Sequence, residues 1–192
     1  MAPCNTCSRS AKGKGPDLAS RPKGVLDQDH RQIELRLEVL ALVLDCLPPR
    51  GTLTPSQGYA ITEALDYFAR EATWHTRDEE QSLFPRLRAA GDHRLDSALG
   101  RLATLEEEHV VVLALHDQLD AVARAGLRTG KFTTPQRSTL RRLLEKLQDA
   151  YRRHMEIEDR EVFPLASTVL GLKQMKKIDQ EIAQRRRSKN AE

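Results

Sequence analysis

The stretch HTRDEEQSLFP at residues 75–85 recurs as HMEIEDREVFP at residues 154–164, an offset of 79 (154 minus 75). The two copies share a histidine, a glutamate four positions later and a closing Phe-Pro pair. The same offset relates His30 to His109, so four of the six histidines follow one pattern. Packing alone does not explain a repeat of metal-ligand residue types. The pattern therefore predicts two copies of a helical hairpin that close around a shared metal centre.

Apolar residues precede both copies at helical spacing. In steps of 4, 3, 4, 3 and 4, the first copy has Ile61, Leu65, Phe68, Ala72, His75 and Glu79. The second copy has Leu140, Leu144, Leu147, Tyr151, His154 and Glu158. These are single faces of amphipathic helices, whereas the segments around His30 and His109 carry the histidine first and the apolar stripe after it. We therefore expect an all-α, up-down-up-down four-helix bundle in which the six polar residues meet at one end of the core.

The chain divides into three expected regions. Residues 1–24, rich in Gly, Pro, Ser and Lys, are predicted to be a disordered basic tail that carries a Cys4-x-x-Cys7 pair. Residues 25–165 are predicted to form the metal-binding bundle. Residues 166–192 are predicted to form a short fifth helix, packed outside the bundle core, and a second basic tail. The apolar stripe of that helix is predicted to consist of Val169, Leu172, Met175, Ile178 and Ile182.

Prolines and glycines mark the expected helix ends. The five helices are expected at about 25–46, 54–84, 94–125, 134–163 and 168–186. A Thr-Pro pair, Thr54-Pro55 or Thr134-Pro135, is expected to start the second and the fourth helix. Because proline removes a helical hydrogen bond, the two Phe-Pro pairs are expected to end these same helices and to cover the metal site. Gly126 is expected to stop the third helix.

The composition indicates one cytoplasmic domain. The chain has 192 residues, which is enough for a single domain with a substantial core. No apolar run approaches the roughly 18 residues of a membrane span, and the N-terminus lacks an apolar signal core. Three cysteines are too few for a disulfide framework. We therefore expect cytoplasmic residence and no membrane partner.

The net charge of +3 arises at the two ends of the chain. Residues 1–24 carry five Lys/Arg and one Asp, and residues 185–192 carry four Lys/Arg and one Glu. The remainder has 22 basic (31 minus 9) and 26 acidic (28 minus 2) residues. Two solubilising, disordered ends are the favoured interpretation, and contact of these tails with a protein partner is the alternative. No nucleic-acid-binding motif accompanies them, so a nucleic-acid partner is not expected.

Four imidazoles and two carboxylates in one cavity suit two metal ions. On a helix, a His at i and a Glu at i+4 lie about 40° apart around the axis and roughly 6 Å apart along it, so HxxxE presents both groups to one cavity. One ion rarely needs six such donors, whereas two ions bridged by two carboxylates use all of them. Mixed nitrogen and oxygen donors favour iron or manganese over structural zinc.

The chain resembles the hemerythrin-like (HHE cation-binding) family over about residues 25–165. The resemblance is carried by Asp29-His30, His75-x-x-x-Glu79, Glu108-His109 and His154-x-x-x-Glu158, together with the two Phe-Pro pairs. It implies a non-haem di-iron centre, with an oxo or hydroxo bridge, inside a four-helix bundle. It also implies a set of iron ligands, His30, His75, His109 and His154, and two bridging carboxylates, Glu79 and Glu158.

Two positions differ from the oxygen-carrying hemerythrins of animals. Those proteins have a second His four residues after the first on the third helix, where this chain has Leu113. Their last pair is HxxxxD, where this chain has HxxxE. The chain is therefore more similar to the four-His, two-Glu type of bacterial hemerythrin-like and iron-repair proteins. The missing histidine is expected to open the metals to water, peroxide or nitric oxide, which makes simple oxygen transport a less suitable function.

Other polar residues near the pattern have alternative interpretations. Glu80 and its counterpart Asp159 are expected outside the cavity or in contact with a metal ligand. His116 is expected to be a core histidine, and His93 to be solvent-exposed. Tyr151 faces inward one turn before a ligand histidine. Packing is its simpler interpretation, and a hydrogen bond to a metal-bound ligand or to a group that supports the metal ligands is the alternative.

Three functions are compatible with this pattern. The first is binding or sensing of a small gaseous or peroxide ligand: O2, NO or peroxide. The second is a di-iron enzyme that consumes peroxide or reduces NO, and the third is an iron donor or repair protein for iron–sulfur centres. Family members linked to that repair carry paired cysteines in a folded module, whereas Cys4 and Cys7 lie in a short tail. Because no separate general base or substrate pocket is evident, binding or sensing is favoured.

Overall fold

The computed structural model describes residues 24–47 and 51–188, which form a four-helix bundle and a C-terminal helix. The first bundle helix, α1, spans Val25–Asp45. The second is one continuous helix made of α2 (Pro55–Tyr67), α3 (Thr73–Asp78) and α4 (Phe84–Ala89), joined by π-helical turns at Phe68–Ala72 and Glu79–Leu83. In the part of the chain that the structure describes there is no strand, and the expected all-α bundle is confirmed.

The second hairpin follows a 3-10 turn at His93–Leu95. Its elements are α5 (Asp96–Thr129), α6 (Thr134–Ile157), a π-helical turn (Glu158–Val162) and α7 (Phe163–Ser188). The last helix is interrupted at Gly171, where φ is 67° and ψ is 166°. Glycine adopts this backbone conformation without the steric cost that a side chain would bring. Residues 172–188 therefore form a separate C-terminal helix.

Two capping boxes, 79 residues apart, start the second helix of each hairpin. The Thr54 hydroxyl accepts a hydrogen bond from the backbone N–H of Gln57, whose side chain accepts one from the N–H of Thr54. Thr133 and Gln136 repeat this arrangement. The cap of the fourth bundle helix is therefore Thr133, one residue before the pair that was expected to start it.

Pro85 and Pro164 do not end their helices, contrary to the expectation from sequence. In an α-helix a proline ring clashes with the carbonyl four residues earlier. Here that carbonyl lies in a π-helical turn, and the N–H groups of Phe84 and Phe163 bond to the carbonyl five residues earlier. The wider turn accommodates the proline, so both helices continue past the Phe-Pro pairs.

Gly126 lies inside α5 and does not end it. The ring of Phe132 packs on the glycine backbone, 2.0 Å from the position that a Cβ atom would occupy. A side chain at this position would collide with that ring, which explains the glycine within a helix. The helix continues to Thr129 and ends at Gly130, whose φ of 69° lies in the left-handed region.

Two apolar clusters enclose the layer of polar residues. In the second bundle helix, Ala72 belongs to the larger cluster and Leu83 to the smaller one, with His75 and Glu79 between them. The continuation of the helices past the Phe-Pro pairs adds Leu87 and Ala166 to the smaller cluster. The polar layer therefore lies inside the molecule and not at an open end of the core.

The C-terminal helix completes the smaller cluster. Ile178 and Ile182, from the predicted stripe, are buried there with 1% and 0% of their surface exposed. Leu172 is 82% exposed, so its assignment to the same stripe was wrong. Leu172 directly follows the break at Gly171, which changes the orientation of the helix and separates the face before it from the face after it.

Two arginines of the C-terminal basic segment form internal ion pairs. Arg185 pairs with Asp78, and Arg186 bridges Asp78 (2.6 Å) and Asp29 (2.5 Å). Asp78 is fully buried, so these arginines neutralise a charge inside the protein. The expectation of a disordered basic end is therefore wrong for Arg185 and Arg186.

The predicted N-terminal tail, with Cys4 and Cys7, lies outside the residues that the structure describes. The boundary of the bundle at its N-terminal side is set by Val25, the first residue of α1. Among the helices of residues 24–47 and 51–188, none combines the length and the apolar character needed to cross a membrane.

Candidate metal centre

Six residues that the repeat singles out lie together in one buried layer: His30, His75, Glu79, His109, His154 and Glu158. The helices α1, α3, α5 and α6 contribute one histidine each. Each glutamate is the first residue of a π-helical turn, a feature that is frequent at functional sites. None of the six is more than 9% exposed, and both glutamates are fully buried.

Each glutamate lies between histidines from both hairpins. The Oε1 atom of Glu79 is 3.5 Å from Nε2 of His75, and its Oε2 atom is 3.4 Å from Nε2 of His109. Glu158 repeats this arrangement with the other two histidines, at 3.2 Å and 3.1 Å. Both carboxylates therefore extend across the layer with one oxygen towards each side, the orientation required to bridge two ions.

The donor atoms form two clusters with the dimensions of metal sites. The first consists of His30, His75, Glu79 and Glu158, and the second of Glu79, His109, His154 and Glu158. Within each cluster the candidate ligand atoms lie within 4.8 Å of one another. The imidazole centroids are 4.8 Å apart in the first cluster and 4.6 Å apart in the second. Because both clusters contain both glutamates, the layer could hold two neighbouring ions.

The glutamate oxygens have no hydrogen-bond donors. All four carboxylate oxygens of Glu79 and Glu158 are buried and accept no hydrogen bond. Burial and the neighbouring Glu158 raise the pKa of Glu79 well above its usual value. Burial acts in the same direction on Glu158, but contacts with His154 and His30 outweigh it and hold its pKa well below the usual value. No hydrogen bond reaches these buried oxygens, and cations between the two carboxylates would satisfy both, so these residues fit a pair of metal ions.

A carboxylate lies beside the Nδ1 atom of each of the four histidines. The pairs are Asp29 and His75 (3.4 Å), Glu108 and His154 (3.0 Å), Asp159 and His30 (3.4 Å), and Glu80 and His109 (2.8 Å). Such partners orient the ring and leave Nε2 for a metal. Sequence reasoning retained Glu80 and Asp159 for such a role but missed Asp29 and Glu108, although the offset of 79 also relates these two.

Phe84 and Phe163 cover the layer on the side of the smaller cluster. The ring of Phe84 stacks on His109, with centroids 6.3 Å apart and planes 3° apart. The ring of Phe163 stacks on His30, at 5.5 Å and 22°. Both phenylalanines are buried, so they separate these imidazoles from water on that side. The Phe-Pro pairs thus continue their helices and also cover the candidate site.

His116 and Tyr151 form a polar pair outside both clusters. The Nε2 atom of His116 is 3.0 Å from the hydroxyl oxygen of Tyr151, and the imidazole stacks on Phe68 at 4.3 Å. Burial lowers the pKa of His116 to about 4, so the ring is neutral near pH 7. His116 is therefore a core histidine, and the side chain of His93 is 91% exposed, as the sequence predicted for both.

A cavity of about 190 Å³ extends from the surface to His109. It lies between the second bundle helix and α5, and its walls include Phe68, Ala72, Thr76, Glu80, Leu113 and Tyr151. Leu113 is 55% exposed at its mouth. The position that is histidine in the oxygen carriers of animals therefore belongs to the wall of a cavity in this chain.

A family model for the hemerythrin HHE cation-binding domain matches residues 22–166. The match covers 145 of the 192 residues (166 minus 22, plus 1) and includes both copies of the repeat. No curated protein and no solved structure matches the chain significantly. The family similarity agrees with the buried layer of histidines and glutamates, which is compatible with a metal site.

Proposed function

The chain belongs to the hemerythrin HHE cation-binding family, and from this premise we propose that it holds two iron ions that bind O2, NO or peroxide. The observation that best supports this proposal is the pair of overlapping clusters, each with two imidazole nitrogens and two shared carboxylates. Donors of this kind suit iron or manganese. When bound, the two irons supply open coordination positions for a small ligand.

The ligand assignment in this proposal follows the distances within the layer. His30 and His75 would hold one ion, His109 and His154 would hold the other, and Glu79 and Glu158 would be shared between them. The outer carboxylates beside the Nδ1 atoms hold the rings with Nε2 directed into the layer. Each ion would have four protein donors, and such a site could also take an exogenous ligand.

Tyr151 is the residue that we propose donates a hydrogen bond to the bound ligand. The Nδ1 atom of His116 is buried without a hydrogen-bond partner, so a proton there would be an unsatisfied donor. The proton is therefore favoured on Nε2, from which His116 donates to the Tyr151 oxygen. Burial raises the pKa of Tyr151, so its hydroxyl stays protonated and its hydrogen is free for a ligand in the cavity.

Binding or sensing fits this site better than catalysis or iron delivery. Glu80, the carboxylate that lines the cavity, is already bonded to His109, which leaves no evident general base. Ions in the layer would lie between two apolar clusters and beside Phe84 and Phe163, an enclosure that favours retention over release. A di-iron peroxidase or NO reductase, or an iron donor for repair of iron–sulfur centres, is the alternative.

Anaerobic reconstitution with Fe(II), followed by metal analysis and optical spectra, tests the proposal. We expect about two irons per chain and spectral changes on addition of NO, O2 or peroxide. His75→Ala should lower the iron content, whereas His93→Ala should not, because that side chain is exposed. A saturating content of one iron, or a preference for a single zinc, would contradict the di-iron assignment. Sustained peroxide or NO turnover would favour the enzyme instead.

A further inference from the structure

The molecule has two surface grooves that the 79-residue repeat relates to each other. One, of about 300 Å³ between α1 and α6, is lined by Glu34, Leu37, Glu38, Gln148, Tyr151, Arg152 and Met155. Adding or subtracting 79 converts these positions into Leu113, His116, Asp117, Ala69, Ala72, Thr73 and Thr76. All seven of these residues line the cavity beside His109 or the cavity that adjoins it. The bundle thus has two equivalent places at which the metal layer could be reached.

The two grooves differ in the size of the side chains at their inner ends. The groove beside α5 has Ala72 and Thr76 on its second-helix wall, and it extends to His109 and Glu80. The groove beside α1 has Tyr151 and Met155 in the corresponding places. Both of these large side chains are buried, with 7% and 6% of their surface exposed. They fill the space through which this groove would otherwise reach the layer, and none of the six candidate ligands is among the residues that line it.

A backbone difference accompanies the difference in side chains. The second bundle helix contains a π-helical turn at Phe68–Ala72, and this turn contributes two residues, Phe68 and Ala72, to the open cavity. The corresponding residues, 147–151, lie within the regular α-helix α6. A π-helical turn widens the helix and changes the direction of its side chains. Backbone and side chains therefore favour an opening on the same side.

We infer that small neutral molecules reach the metal layer from one side only, through the cavity bounded by Phe68–Ala72 and Leu113, and arrive beside His109. This inference rests on the proposed two-metal site and adds the direction and the chemical class of the ligand. It also assigns Tyr151 two roles, since this side chain closes one groove and lines the other.

The lining of the open cavity selects for uncharged ligands. Its walls are largely apolar, with Phe68, Val112 and Leu113 among them. The carboxylate of Glu80 lies at the inner end, bonded to His109. An anion would lose hydration along the apolar walls, and the negative charge of Glu80 would offset the attraction of the metal ions behind it. Molecules such as O2 and NO meet neither obstacle.

Matched tryptophan substitutions at the two groove mouths test the direction of access. Leu113→Trp narrows the open cavity, and Glu34→Trp places the same ring at the equivalent position of the closed groove. Both positions are exposed, so both variants should fold and load iron. Stopped-flow mixing of the iron-loaded proteins with NO should show association slowed about tenfold or more by Leu113→Trp and unchanged by Glu34→Trp. Equal slowing by both variants, or slowing by Glu34→Trp alone, would overturn the inference.

Xenon binding provides a readout that does not depend on iron. Xenon-129 NMR of the metal-free protein should detect a bound population in the wild type and in Glu34→Trp. This population should be lost in Leu113→Trp and in Thr76→Met, which copies Met155 into the open cavity. Xenon bound equally in all four proteins would contradict the role of this cavity. The proposed function has its own test, which does not depend on xenon. It would be contradicted if the wild type does not hold two irons or shows no spectral change with NO.

Nitrite tests the restriction to neutral ligands. Its association with the iron-loaded protein should be slower than that of NO at low ionic strength, and it should accelerate when salt screens Glu80. The rate for NO should not respond to salt. Nitrite that associates as fast as NO at low salt would show that the cavity does not discriminate by charge.

Discussion

The two hairpins of the bundle share the layer of candidate metal ligands but differ in what surrounds it. In both, a histidine precedes a glutamate by four residues, the glutamate begins a π-helical turn, and a buried phenylalanine stacks on a histidine. The outer carboxylates also recur with the offset of 79. In this part of the structure the two hairpins therefore repeat each other's contacts. The repeat therefore accounts for the candidate metal ligands. The positions that depart from it account for the open cavity and for the ion pairs of the C-terminal arginines.

Three departures have visible structural consequences. The pairs of equivalent positions are Ala72 and Tyr151, Leu37 and His116, and Asp78 and Ile157. The first pair leaves one groove open and closes the other, and the second gives Tyr151 its hydrogen-bond partner. The third places a buried acid in the first hairpin only, where the C-terminal arginines bind it. Substitutions at the two glutamates test the features that both hairpins share, and substitutions at these three pairs of positions test the features that belong to one hairpin.

Glu79→Gln and Glu158→Gln disrupt the shared layer and should have the largest effect. An amide is a much poorer metal ligand than a carboxylate, so iron content should fall from about two to about one or less in each variant. The metal-free proteins should differ. Burial and Glu158 already favour the neutral form of Glu79, so its replacement should change the unfolding free energy by less than about 1 kcal/mol.

The equivalent substitution at Glu158 should destabilise the metal-free protein. Its carboxylate lies within 3.2 Å of both His154 and His30, and removing one partner from a buried charged group costs roughly 3 kcal/mol. Urea unfolding of both metal-free variants near pH 7 measures the difference. Equal stabilities would mean that the two glutamates have the same environment and that the layer is symmetric in charge as well as in sequence.

Outside the candidate metal layer, the arginines that bind Asp78 should have the largest effect on stability. The double substitution Arg185→Ala/Arg186→Ala leaves a fully buried carboxylate unpaired, and we expect a loss of about 3 to 5 kcal/mol in unfolding free energy. Adding Asp78→Ile, which copies Ile157 from the other hairpin, should restore most of it. Arg187→Ala is the control for charge, since Arg187 is exposed, and it should change stability by less than about 0.5 kcal/mol. A double variant as stable as the control would show that Asp78 does not need these partners.

The grouping of the six candidate ligands in one layer was predictable from the sequence because ligand chemistry restricts residue type and helical geometry restricts spacing. An offset that carries His30 and His75 onto two further histidines identifies one layer without any knowledge of the fold. The same reasoning, applied to charged neighbours, would also have identified Asp29 and Glu108 as histidine partners. The covering role of the Phe-Pro pairs was predictable too, but their effect on the helices was not, since a proline alone does not reveal a preceding π-helical turn.

The ion pairs of the C-terminal arginines and the open cavity beside His109 were not predictable in the same way. Charge counting assigned Arg185 and Arg186 to a basic tail, because their partners lie 107 to 157 residues earlier in the chain. The open cavity depends on the sizes of several side chains from two helices and on one extra π-helical turn. Gly126 resembled a helix stop because the sequence does not show that Phe132 packs on it. That contact, which requires a glycine, is visible only in the structure.

Tyr151→Phe should have the smallest effect, and it tests what the hydroxyl adds beyond closing a groove. The ring remains, so the closed groove stays closed and iron content should be unchanged. Loss of the hydrogen bond with His116 should lower the unfolding free energy by about 1 kcal/mol. The hydroxyl is also proposed to donate a hydrogen bond of similar strength to the bound NO. Loss of that bond should accelerate NO dissociation from the iron-loaded protein by about five- to tenfold. Tyr59→Phe, at a 69% exposed position, is the matched control and should change neither quantity.

The two measurements on Tyr151→Phe distinguish its possible roles. A loss of stability with unchanged NO dissociation would mean that the hydroxyl supports only the packing of His116 and Phe68. Faster dissociation would connect the hydroxyl to the ligand, and His116→Leu, which copies Leu37, would then show whether the imidazole is needed to orient it. The unpartnered Nδ1 atom of His116 favours a proton on Nε2, which donates to the tyrosine oxygen. In His116→Leu the hydroxyl keeps its own hydrogen for the ligand, so the hydrogen bond to NO should be weakened only partly.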